Sequence, residues 1–112
     1  DPERALELAE KEPLGFMHGT ATAILYHQLG NPDEAQARLD QMVEEYGDSA
    51  AYQYAQVYAQ WGESEKALEW IETAERVGDP GLINADIDGL LDPIRDEPRF
   101  QKVVETTGFR LE

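Results

Sequence analysis

Apolar positions along this chain recur at helical spacing and almost nowhere alternate. Leu39, Met42, Val43 and Tyr46 fall three or four apart and line one stripe of a helix. Leu68, Ile71 and Ala74 form a second stripe, with Glu75 as an odd polar member and Val77 beyond it. No run of alternating Val, Ile or Thr closes in a hairpin turn, so strands are not expected. The pattern predicts helices near 2–11, 14–29, 32–46, 49–61, 64–77, 80–86 and 98–107, with a single turn near 93–95.

The breaks between these stretches are regular. Asp1-Pro2, Asn31-Pro32, Asp79-Pro80, Asp92-Pro93 and Glu97-Pro98 each place a polar residue before a proline. A short polar side chain can cap the first free amides of a helix, and proline suits the next position because it has no amide to leave unpaired. Asn31 also has Glu34 three residues on, the spacing of a capping box. Gly30, Gly47, Gly62, Gly78 and Gly108 mark helix ends, where a left-handed residue stops the helix.

The chain repeats itself at a spacing of 32 residues: Ala23 with Ala55, Tyr26 with Tyr58, Gln28 with Gln60, Gly30 with Gly62, Ala35 with Ala67 and Leu39 with Ile71. A period of this size means stacked supersecondary units, here helix, tight turn, helix. The small alanines let two helices approach, and the tyrosines fill the space beside them.

These residues resemble the tetratricopeptide repeat. One unit reads Gly19-x-x-Thr22-Ala23-x-x-Tyr26, Gly30, Ala35-x-x-x-Leu39-x-x-Met42. The next reads Ala51-x-x-Tyr54-Ala55-x-x-Tyr58, Gly62, Ala67-x-x-x-Ile71-x-x-Ala74, Asp79-Pro80. The period is shorter than the family's usual 34, and Gly19 and Ala51 stand where the family places a tryptophan-like residue. The resemblance implies an all-α fold of antiparallel helix pairs stacked as a short right-handed solenoid. Within one domain over 1–110 it implies a partial repeat at 1–12, repeats at 16–47 and 48–80, and a capping tail at 81–109.

The tail resembles the end segment of repeat regions that close larger bacterial signalling proteins. Leu82, Ile83, Leu90, Leu91, Ile94, Phe100 and Phe109 are expected to cover the last helix pair, with Asp86, Asp88, Asp92, Asp96 and Glu97 facing water. The chain reads as the C-terminal piece of a longer protein, and Leu111-Glu112 as the remnant of an expression tag.

Charge narrows the function classes. The formal net charge is -15, which repels nucleic-acid phosphates and anionic membranes. There is no cysteine, so disulfides and cysteine-ligated metals are excluded. No apolar run approaches the roughly 20 residues of a membrane span, and the cytoplasm is the default location.

Candidate chemistry is sparse. Asn84-x-Asp86-x-Asp88-Gly89 opens like a calcium loop, but the twelfth position is Arg95 instead of a closing glutamate. His18 and His27 are nine apart, which does not place them on one helix face as a two-histidine zinc site requires. No nucleophile motif, phosphate loop or dinucleotide fingerprint is present. Neither a catalytic role, nor a metal, nor a cofactor is expected.

The resemblance implies that the first helix of each pair lines a concave face. Matching positions are Thr20, Ile24, His27 and Gln28 in the first unit, and Tyr52, Gln53, Gln56, Ala59 and Gln60 in the second. This face carries hydrogen-bonding groups and almost no charge. It lacks the Lys, Arg and Asn with which related domains clamp a chaperone's terminal carboxylate. A neutral groove with an acidic rim suits a peptide or helix of a partner protein bearing apolar and basic residues. The alternative is a structural module that docks a neighbouring domain of the same polypeptide, or self-associates through Leu6, Leu14 and Phe16.

Overall fold

The computed structural model describes residues 3–4 and 15–107, and every regular element among them is helical. Apart from residues 3–4, the expected opening helix lies outside the described residues, as do the side chains of Leu6, Leu14, Phe16, His18 and Phe109. The chain divides into two compact units, Asp1–Gly47 and Asp48–Glu112, at the junction between the two repeats.

The first unit is built on α1 (Gly15–Gln28) and α2 (Pro32–Tyr46). Gly30, at φ 80°, ends α1 in a left-handed turn that residues with a Cβ rarely adopt. Around it the Gly30 amide donates to the His27 carbonyl at 3.1 Å and the Asn31 amide to the Tyr26 carbonyl at 2.9 Å. The pair of bonds is a Schellman stop, and the same pair recurs at Gly62 and Gly78. Ala23, Ala35, Leu39 and Met42 are buried, as the stripe requires.

The expected cap at Asn31 differs in detail. Its side chain makes no capping bond, although Pro32 does open α2. Glu34 does not close a box either: it accepts a bond from Arg38 Nε at 3.2 Å. Arg38 lies over the Tyr26 ring, 5.2 Å from its centroid, and this cation–π contact ties α2 to α1.

A 3₁₀ turn, η1 (Gly47–Ala50), leads into the second unit, where α3 (Ala51–Gln60) pairs with α4 (Ser64–Val77). Ala51, Ala55, Ala59, Ala67 and Ala74 are buried together with Leu68 and Ile71. Tyr54 meets Trp70 edge-on, with ring centroids 4.8 Å apart. Val77 leaves the stripe and is exposed, because α4 ends there at Gly78.

The tail runs as two 3₁₀ segments, η2 (Pro80–Asn84) and η3 (Gly89–Ile94), and a final helix α5 (Pro98–Thr107). The expected helix at 80–86 is therefore a shorter, tighter element, and the expected turn at 93–95 is a longer one. Leu82, Ala85, Leu91, Ile94, Phe100 and Val103 join the same core as α3 and α4. Burying each large apolar side chain contributes on the order of 2 kcal/mol. Arg99 holds α5 to α4: its Nε and Nη2 donate to the two carboxylate oxygens of Glu72 at 3.1 and 2.7 Å, and its Nη1 to Glu65 at 2.7 Å.

Candidate functional site

Tyr52, Gln56 and Gln60 are spaced by four along α3, so their side chains form one line on the helix. All three are donors, and all three reach the tail. The Tyr52 hydroxyl donates to Asp88 Oδ2 at 2.5 Å, and Gln56 Nε2 donates to the same oxygen at 2.6 Å. Gln60 Nε2 donates to the Leu90 carbonyl at 2.9 Å.

Asp88 can take these bonds because of where it sits. It caps η3, with Oδ1 accepting the Leu90 amide at 2.9 Å, which leaves Oδ2 aimed at α3. Asp79 plays the matching part at η2. Its Oδ1 accepts the Gly81 amide at 2.9 Å, and its Oδ2 accepts the Tyr52 amide at 3.1 Å. That amide is in the first turn of α3, where it has no partner within the helix. Burial, the bond to Asp88 and the negative charges of Asp88 and Asp79 push the Tyr52 phenol far up from its ordinary value. It therefore remains a neutral donor.

The acidic stretch of the tail was expected to face water throughout; Asp88 instead faces α3. Of the apolar tail residues, Leu82, Leu91, Ile94 and Phe100 are buried, Leu90 is half-buried and Ile83 is exposed. Ile83 points outward because η2 buries Leu82 and Ala85 on its other side.

The calcium-like loop has its own cation. Arg95 Nη1 donates to the Asp86 carbonyl at 2.5 Å and Nη2 to the Asp88 carbonyl at 2.6 Å. Its Nε pairs with Asp92 at 3.0 Å, and the guanidinium lies 5.9 Å from the Phe100 ring centroid. Backbone oxygens of the kind a bound cation needs are thus engaged by the arginine at the loop's twelfth position. Among the described residues no group of three His, Cys, Asp or Glu is placed to hold a metal.

In the first unit Thr20 and Ile24 are buried, His27 is half-buried and Gln28 is exposed. At the 32-residue offset Thr20, Ile24 and Gln28 stand for Tyr52, Gln56 and Gln60. Thr20 and Gln28 also carry donors but Ile24 does not, so the first repeat lacks the unbroken line of three. Gln53, on another line of α3, is half-buried, and Ala59 is buried. Separately, α1 and α2 enclose a cleft of about 160 Å³ lined by Gly19, Thr22, Arg38, Gln41, Met42, Glu45 and Tyr46.

Sequence reasoning selected Tyr52, Gln56 and Gln60 by their family positions, and missed that Asp79 and Asp88 accept bonds from α3 and that Arg95 holds the Asp88 backbone. A signal was present for two of these. Asp79-Pro80 and Asp88-Gly89 both place a capping carboxylate at a tight turn, beside donors at helical spacing on α3.

Residues 18–41 match the family model of the tetratricopeptide repeat. The match covers most of α1 and α2, so the chain carries a repeat of this family there. Such repeats as a rule mediate protein–protein contacts and are typically not catalytic. No curated protein and no solved structure matches the chain. No helix among the described residues is long and apolar enough to cross a membrane.

Proposed function

We propose that this tetratricopeptide-repeat chain is a non-catalytic protein-binding module, a cytoplasmic part of a larger bacterial protein. Its ligand is a peptide or helix of a partner, or a neighbouring domain, received on the first helix of a repeat. The observation that supports this most is the use α3 makes of its own line of donors. Tyr52, Gln56 and Gln60 take up a backbone turn of the chain's own tail through a carboxylate and a carbonyl. A helix face of this composition is suited to recognising a short segment by side-chain donors.

In the second repeat those donors serve the tail, and Gln53 is the residue proposed to meet a partner. In the first repeat the proposal rests on His27 and Gln28, which reach the surface, while Thr20 and Ile24 are buried. The acidic composition selects a basic or neutral ligand.

Photo-crosslinking residues placed at Gln28, Gln53 and, as a control, at Glu44 on α2 test the reading in cells. Discrete adducts of one protein at Gln28 or Gln53, absent at Glu44, are expected. Equal labelling at all three positions would sink it. The alternative, docking within one polypeptide, is read from the same experiment when the adducts prove intramolecular in the full-length protein.

A further inference from the structure

We infer that the second unit carries a further docking surface, centred on Ile87 and the adjoining cleft, that receives a basic apolar segment of a partner protein. This surface is independent of the α3 donors and of the reading built on them.

Ile87 is 82% exposed and Ile83 is 54% exposed, the two most exposed large apolar side chains among the described residues. They stand on a stretch that is fixed from beneath. Leu82 and Ala85 are buried, the Ile87 amide donates to the Asn84 carbonyl at 3.1 Å, and the residues on either side of Ile87 are held by Arg95. An apolar side chain held out on a pinned turn is already in a binding geometry, so little order is lost when it is covered.

Beside it lies a cleft of about 220 Å³ lined by Asp86, Arg95, Gln101, Val104 and Glu105. Val104 supplies an apolar wall, while Asp86 and Glu105 supply carboxylates. The single cation there, Arg95, gives its Nη1 and Nη2 to backbone carbonyls and its Nε to Asp92. The dimensions and charge suit the stem and head of one lysine or arginine, with a neighbouring apolar residue of the partner against Ile87. A second copy of this chain is a poor occupant, since each copy carries a net charge of -15.

The test uses the whole chain and three labelled peptides: Lys and Leu at helical spacing, a Glu and Leu twin, and a Lys and Ser twin. The Lys/Leu peptide is expected to bind, and the twins to bind at least about tenfold more weakly. Ile83→Ser with Ile87→Ser, and separately Asp86→Asn with Glu105→Gln, should each weaken the Lys/Leu peptide by roughly tenfold. Glu44→Gln with Glu69→Gln removes the same charge from exposed helix positions and should leave binding within about twofold. Ile87→Leu keeps an apolar knob and should retain binding, which separates loss of the surface from loss of the fold. Equal weakening by both charge pairs would overturn the assignment in favour of diffuse attraction to an acidic surface. No binding of the Lys/Leu peptide, or a mass that doubles on concentration in the parent and not in the isoleucine variant, would also overturn it.

Discussion

The hydroxyl of Tyr52 donates to Oδ2 of Asp88 at 2.5 Å across 36 residues of sequence. Tyr52 as a whole is only 3% exposed, so one side chain serves both the core and a polar contact with the tail. Tyr52→Phe keeps the ring and removes the bond to a charged acceptor, which is worth about 1.5–3 kcal/mol. A fall of several degrees in the melting temperature is expected, read by circular dichroism, with native helicity retained below the transition. Tyr52→Ala deletes the ring as well and should cost about 3–5 kcal/mol. An alanine at this position therefore tests folding and cannot serve as a probe of partner binding.

Two glycines with similar crowding should respond differently. A Cβ at Gly81 would lie 2.7 Å from Tyr52 Cδ2 and 3.1 Å from Tyr52 Cβ. These atoms are fixed by the ring's burial, so Gly81→Ala should destabilise by about 1–3 kcal/mol. A Cβ at Gly19 would lie 2.6 Å from Met42 Sδ, part of a flexible side chain that can turn away. Gly19→Ala also gains about 0.5–1 kcal/mol of helix preference, so its net effect should be small. Paired urea melts of the two variants check the contrast; equal losses would mean that Met42 is as fixed as Tyr52.

The bonds from Arg99 hold the Glu72 carboxyl below its ordinary value of 4.5. A depressed carboxylate contributes stability that is present above about pH 4.5 and is lost as pH falls through the lower folded value. Glu72→Gln should therefore lower the melting temperature at neutral pH and have less effect at about pH 3. Both partners are partly exposed, so the difference should also shrink in about 1 M salt. Arg99→Lys should behave like a loss of the pair, because an ammonium cannot reproduce the two parallel bonds.

Calcium should leave the parent's melt unmoved at millimolar concentration, because a ligand that binds only the folded state must raise its stability. Arg95→Ala frees the carbonyls of Asp86 and Asp88 but leaves Asp88 Oδ2 engaged by Tyr52 and Gln56. That variant should melt lower than the parent and gain little from calcium. A large calcium-dependent rise in either protein would refute the view that Arg95 serves as the loop's cation.

The helix pairs were legible because their signals are local. Alanines and tyrosines recur at 32 residues, and Gly30, Gly62 and Gly78 have the positive φ that their positions imply. The tail was legible only in part. Leu82, Leu91, Ile94 and Phe100 could be assigned to the core from their character alone, whereas Ile83 could not be told from Leu82 in a five-residue 3₁₀ segment without helical period. Asp88 was hidden for another reason. In a stretch with so many acids, composition favours a solvated carboxylate, and only the fold shows which one meets Tyr52. Asn31 shows the converse, a good capping side chain whose bond is not made.

At the positions of Tyr52, Gln56 and Gln60 the preceding repeat carries Thr20, Ile24 and Gln28, so the set of side chains that meets Asp88 and Leu90 is not repeated there. The bonds that hold the tail are therefore written into the side chains of one helix, and not into the repeat pattern as such. Changes that keep the pattern of the first helix pair leave these bonds untouched, whereas transplanting the tail onto another helix pair requires moving α3 along with it.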